Sequence, residues 1–245
     1  MVARFHDTWQ ALSGSPLLWL SYTLLVYLAA LRLYRLKGSH PLLLPILTSV
    51  LVVLATLWAT GTPYEQYEQA TQFLVFCIGP ATVALAVPLY TQLPQIKRLW
   101  KPVAVALLAG SLTAIVSAIG IAWVLGGSME TILSLAPKSA TTPIAMEVAR
   151  ITGGLPSFAT VAVALTGISG AVMAAGLLSL LRIEDPVVKG FTLGLTAHAI
   201  GTARAFQLGD RAGAAAALAM SLNGVATAIL VPIVLALLGL FRWGG

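Results

Sequence analysis

The stretch Leu135-Ala136-Pro137-Lys138-Ser139-Ala140-Thr141-Thr142-Pro143-Ile144-Ala145-Met146 decides how the chain folds. It lies in a hydrophobic region, yet two prolines, a lysine and three hydroxyls interrupt it. Pro137 lacks a backbone donor and disfavours helical geometry in the residue before it, so a helix ends near Ala136. Thr142 followed by Pro143 reads as an N-cap with proline at the first helical position, so a new helix begins at Pro143. Backbone broken in this way is tolerated at membrane depth only where it is buried in protein or lines a polar cavity. The helix start offers unpaired N–H groups and the positive end of a dipole. Lys138 adds a formal charge, and Ser139, Thr141 and Thr142 add hydroxyl donors. The group reads as a site for a small anion, most simply a carboxylate. The competing reading is an aqueous loop in which Lys138 is solvated.

The surroundings make membrane depth the relevant frame. Of 245 residues 58% are hydrophobic and 9% charged, against roughly 25% charged in an ordinary soluble domain. A soluble fold of this size has too little charge to cover its surface. Composition therefore excludes a soluble enzyme, a disordered chain and a nucleic-acid-binding protein. The excess of 14 Lys+Arg over 8 Asp+Glu fits cationic loops on the cytoplasmic side of a bilayer. The lone Cys77 excludes an intramolecular disulfide and reads as a small buried hydrophobe.

A helical span needs about 20 apolar residues. Uncharged runs cover 8–31, 38–64, 69–96, 102–129, 151–181 and 212–241, and shorter apolar segments, 131–146 and 190–203, are interrupted. Arg32, Arg35 and Lys37, then Lys97, Arg98 and Lys101, mark cytoplasmic loops, and the acidic run Tyr64–Glu68 reads as external. Charge after, not before, the first apolar core argues for a retained helix and against a cleaved signal. Arg182 and Lys189 favour a cytoplasmic 182–189 loop, which requires 131–150 to be re-entrant.

The chain also resembles itself. Gly110-Ser111-Leu112-Thr113-Ala114-Ile115 matches Gly224-Val225-Ala226-Thr227-Ala228-Ile229. Repeats of this kind are typical of secondary transporters, which bind substrate near the midplane. The expected fold is an all-α membrane protein, a polytopic helical bundle with two inverted repeats and broken or re-entrant helices crossing near the midplane. One integral membrane domain would span 1–245, with repeat 1 near 41–126, repeat 2 near 131–241 and the helix at 17–36 as scaffold. Pro80 and Pro88, with Thr82 between them, mark a broken helix over 71–91 that would cross its second-half counterpart.

The second chemical constellation runs from Gly194 to Gln207. Gly194 and Gly201 weaken a helix there. His198 lies in an apolar setting, and an ionisable residue in a membrane helix is a functional candidate. It reads as a proton-coupling or substrate-contacting group, or as a histidine satisfied by packing. Gly201, Thr202 and Gln207 are its polar or open neighbours. Arg204 is a second anion contact or a snorkelling end charge. Glu147 and Arg150 sit at i and i+3, so they pair with each other; the alternative makes Glu147 a proton carrier. Asn223 can hydrogen-bond across helices. No metal cluster, cofactor motif or catalytic signature stands out.

These motifs resemble the LrgB/CidB family. The run 135–146 is similar to the family's signature, as is Gly190-Phe-Thr-Leu-Gly-Leu-Thr-Ala-His-Ala-Ile-Gly-Thr-Ala-Arg204, and Ala84–Tyr90 followed by Gln92 resembles its first-half motif. The resemblance covers about residues 17 to 240. Two functions are implied. One is transport of small monocarboxylates of the glycolate, lactate or pyruvate kind, with or without a coupled proton, since relatives include a plastid glycolate/glycerate translocator. The other is a holin/antiholin-like role modulating murein hydrolase export and cell lysis. Neither is an enzyme activity. The resemblance further implies the bacterial inner (plasma) membrane, a smaller LrgA/CidA-type partner, and a homodimer or higher oligomer. Two departures from the family pattern stand out: Leu44 where relatives often carry Asn, and Gln207 where they tend to carry Glu.

Overall fold

The computed structural model describes residues 15–38, 43–74, 76–77 and 100–240, with single positions at 80, 90 and 98. Regular structure among them is entirely helical. The elements are α1 (Pro16–Leu36), α2 (Pro45–Thr60), α3 (Tyr64–Ala70), α4 (Trp100–Val124), α5 (Met129–Leu135), α6 (Thr142–Thr152), α7 (Pro156–Leu180), α8 (Pro186–Gln207) and α9 (Asp210–Leu237). Proline opens α1, α2, α7 and α8. There its missing N–H is one of the helix start's unpaired donors anyway. Among the described residues, four helices are long and apolar enough to cross a membrane: α1, α4, α7 and α9. The chain is a membrane protein. The expected span at 69–96, with Thr82, Pro88 and the crossing assigned to 71–91, lies largely or wholly outside the described residues.

The chain divides into two compact units, 1–86 and 87–245. In the first, α1 and α2 pack together under the short α3. Trp19 is buried against Val53, Leu57 and Ala70, with its ring edge-on to Tyr22 and Tyr67 at 5.9 and 5.4 Å. Tyr22 and Thr56 share a hydroxyl–hydroxyl hydrogen bond, and Thr23 meets the Tyr67 hydroxyl at 3.0 Å. Gly61 ends α2 in a left-handed conformation with φ 65°, where a side chain would be disfavoured.

In the second unit α4 and α9 run in the same direction. Ser111 meets Asn223 midway along them. Farther along both, Ile115, Ile119 and Ala122 share a core with Val231, Val234 and Leu235. We call the end where α4 and α9 begin basal and the end where they finish distal. After α4 the chain turns at Gly126, and α5 enters from the distal end. It stops at Leu135, and α6 carries the chain back. Leu155, just past α6, donates its N–H to Ser134 Oγ at the end of α5 at 2.7 Å, and Val148 of α6 shares the distal core with Ile132 and Leu133 of α5, so α6 returns alongside α5. Residues 129–152 thus form a hairpin, α5–α6, on the distal side of the second unit.

α8 makes the opposite manoeuvre from the basal end. Its helical geometry fails at Ala197 (φ −122°, ψ 16°) and His198 (φ 40°, ψ −128°). The chain then doubles back so far that a Cβ on Gly201 would lie 2.1 Å from the Leu193 carbonyl oxygen. In a straight helix residues eight apart are about 12 Å apart along the axis. Leu193 and Ala205 share a basal core with Ala212 and Ala216. The entering arm packs backbone to backbone on α9: a Cβ on Gly190 or Gly194 would fall 2.0 or 2.1 Å from the carbonyls of Ala212 and Ala216. This is the small-residue packing of membrane helices, which lets backbones approach.

One expectation is not confirmed and one is corrected here. The stretches 110–115 and 224–229, matched as parts of inverted repeats, lie on α4 and α9, which run the same way, and much of the first repeat lies outside the described residues. The opposed elements are instead two hairpins, α5–α6 and the folded α8, both in the second unit. The start of α6 is also one residue earlier than the sequence suggested. Thr141 is the cap residue, without a side-chain cap bond, and Thr142 is the first helical residue, so Pro143 sits one place inside.

Candidate functional site

The tips of the two hairpins meet halfway through the second unit. The distal tip is the turn 136–141, held by Lys138 N–H to the Leu135 carbonyl at 3.1 Å and Ala140 N–H to the Pro137 carbonyl at 3.0 Å. The first ladder bond of α6 runs from Ala145 N–H to the Thr141 carbonyl at 2.9 Å. The amides of Thr142 and Ile144, on either side of Pro143, precede that bond and are open to an outside acceptor. The basal tip is the break at Ala197 and His198.

Asn223, 1% exposed, joins them. Its Nδ2 donates to the Ser139 carbonyl at 2.9 Å and to the Leu195 carbonyl at 3.1 Å. Its Oδ1 accepts from Ser111 Oγ at 2.7 Å. One side chain thus ties α9 to both tips and to α4. Breaking a helix frees carbonyls that hydrocarbon cannot hydrate, and Asn223 supplies donors where they are needed.

His198 is buried, and its Nε2 lies 2.9 Å from the Val163 carbonyl of α7. A carbonyl can only accept, so Nε2 carries the proton. Thr202 Oγ1 donates to the His198 carbonyl at 2.8 Å. Gly167 makes room for the ring: a Cβ there would lie 2.6 Å from His198 Cε1. His198 adopts a positive φ that favours glycine, which costs about 1–3 kcal/mol. Such outliers persist only where their surroundings hold them in place, and here Val163, Thr202 and Gly167 do so.

Lys138 is half-buried beside this group, close enough to His198 for their charges to interact. Among the described residues it forms no ion pair. Ser139 and Pro137 are buried at the same tip, and Thr141 and Thr142 are partly exposed. The arrangement places one ammonium, open helix-start amides and hydroxyl groups at the meeting of two broken backbones. Chemically it can bind an anion, and His198 is a candidate to exchange a proton nearby.

Of the residues singled out in the sequence, hydrogen bonds join Ser139 to Asn223 and Thr202 to His198; Pro137, Lys138, Thr141 and Thr142 share the distal turn with Ser139, Gly201 packs on the Leu193 carbonyl, and Pro143 lines a separate groove with Glu147 and Pro232. Arg204 and Gln207 are elsewhere. Arg204 donates to Gln207 Oε1 at 2.8 Å, and Arg204 lines a basal cleft with Lys189 and Arg182. Glu147 and Arg150 form the i,i+3 pair, with Arg150 Nε donating to Glu147 Oε2 at 2.9 Å on an exposed face. No cluster of His, Cys, Asp or Glu fit for a metal occurs among the described residues. Sequence reasoning missed Ser111, the Val163 and Leu195 carbonyls, and the role of Gly167. The backbone acceptors carry no sequence signal.

Comparison with known proteins identifies the family. The model of the LrgB-like family matches residues 23–237. The chain is 34% identical over 212 residues to the uncharacterized protein YxaC of Bacillus subtilis (strain 168), covering 86% of this chain and 92% of the relative. It is 35% identical over 213 residues to YwbG of the same organism, covering 87% and 94%. It is 27% identical over 225 residues to the antiholin-like protein LrgB of Bacillus mycoides (strain KBAB4), covering 92% and 98%. No solved structure matches. The chain belongs to the LrgB-like family, a family that includes relatives named antiholin-like proteins.

Proposed function

We propose that this LrgB-like membrane protein carries a small monocarboxylate anion across the bilayer, with the two hairpin tips as its binding site. The observation that carries the reading is Lys138, a half-buried ammonium without an ion-pair partner among the described residues, at the junction of two opposed broken helices. A buried charge is costly unless it is compensated, and a carboxylate would supply the compensation. Thr142 and Ile144 amides would take its oxygens with the dipole of α6 behind them. Each hairpin reaches the tips from its own face, so small displacements of either one could open the site to that side. His198, between the tips and α7, is the candidate for a coupled proton.

The holin-like alternative rests on the antiholin-like name of relatives such as the Bacillus mycoides protein. Uptake into proteoliposomes loaded with fluorescent dye separates the two. Saturable entry of labelled glycolate, lactate or pyruvate without dye loss supports the carrier. Dye release without selective uptake overturns it. A smaller membrane partner and a homo-oligomer belong to the same proposal, and cross-linking in native membranes tests them.

A further inference from the structure

A second cationic site lies away from the tips, at the basal end of the second unit. The end of α7, the loop after it and both arms of the α8 hairpin enclose a cleft of about 400 Å³. Arg182, Lys189 and Arg204 line it against a single carboxylate, Glu184, and Leu178 and Leu193 form part of an apolar wall. Among the described residues neither Arg182 nor Lys189 forms an ion pair.

The loop is built to present Arg182. It takes a left-handed conformation, φ 55°, at the helix end where glycine is favoured. The loop is nonetheless fixed: Ile183 N–H bonds back to the Leu178 carbonyl at 2.9 Å. Asp185 Oδ1 caps α8 through the N–H groups of Val187 and Val188 at 2.7 and 3.1 Å. Lys189 sits near the start of α8, where the helix dipole disfavours a cation. Two cations are therefore held where local backbone preferences oppose them, and both face the same cleft as Arg204.

We propose that this cleft binds a phosphate-ester anion, with the cations on the phosphate and the apolar wall beside its organic part. Basic pockets between membrane helices suit lipid head groups of this chemistry, and arginine suits the bidentate geometry of phosphate. Anchored at the hinge between α7 and α8, the ligand would hold the base of the basal hairpin.

The test is thermal unfolding of the purified full chain in detergent, with inorganic phosphate, phosphatidylglycerol or phosphatidylcholine added. The expected result is a rise of roughly 5 °C near a hundredfold excess over Kd with phosphatidylglycerol or phosphate, and none with phosphatidylcholine. A response to phosphatidylglycerol alone identifies a lipid head group, and a response to phosphate identifies a soluble anion. Arg182→Gly keeps the fold, because glycine relaxes the left-handed turn, and removes the response; Lys189→Gln weakens it; Lys101→Gln, outside the cleft, leaves it intact. Absence of any shift, a shift equal with phosphatidylcholine, or a full response in Arg182→Gly overturns the proposal.

Discussion

The side-chain amide of Asn223 lies 2.9 Å from the carbonyl of Ser139, and this bond fixes the tip of the distal hairpin to the middle of the longest helix described. The same amide reaches the basal tip through Leu195, so the two broken backbones share one donor group. Asn223→Ala strands two carbonyls and the Ser111 hydroxyl at once. We expect a loss of about 1–3 kcal/mol, read as a lower unfolding midpoint in detergent. Ser111→Ala removes only one of the bonds and should cost less.

Glycines in the second unit separate sharply by what a Cβ would meet. Gly194→Ala places a methyl 2.1 Å from the Ala216 carbonyl oxygen, and backbone cannot step aside. The expected cost is about 1–3 kcal/mol or more. A methyl added at Gly176 would meet nothing within 4 Å, so Gly176→Ala should stabilise by about 0.5–1 kcal/mol through helix propensity. Opposite shifts in unfolding midpoint for the two variants check the packing of α8 on α9.

Much of this arrangement is legible in the sequence. Pro137 and Pro143 announce the break in 135–143 between the two arms of the distal hairpin. Asn223 stands out as a polar group in an apolar helix. The basal hairpin is not legible to the same degree. Gly194 and Gly201 mark a weak helix, but a reversal at Ala197 and His198 depends on long-range partners: the Val163 carbonyl, the space above Gly167 and the α9 backbone. The internal match alone establishes no repeat, because Ala- and Gly-rich helices resemble one another through shared packing demands, whichever way they run. Arg204 and Gln207 follow His198 in sequence and so suggest themselves as part of its site. The reversal carries them back to the basal end.

His198 should govern coupling and not affinity. In a carrier that uses it, His198→Gln makes uptake indifferent to an imposed pH gradient while substrate still competes at equilibrium. Glu147→Gln, which breaks only the exposed pair with Arg150, should leave the gradient response as in wild type. Uptake measured at several external pH values distinguishes the two. A gradient response that survives His198→Gln and vanishes in Glu147→Gln assigns the proton to the other residue.

The central claim is that Lys138 holds the anion at the hairpin tips, and equilibrium binding of labelled glycolate, lactate or pyruvate to the purified protein tests it most directly. A charge-assisted bond is worth about 1.5–3 kcal/mol, so Lys138→Gln should weaken binding by roughly 10- to 150-fold. Lys101→Gln, at the basal start of α4, should bind as wild type does. Saturable binding by wild type that is lost in Lys138→Gln alone is the predicted result. Binding of equal strength in wild type and Lys138→Gln, or no saturable binding of any of the three by wild type, would contradict the account.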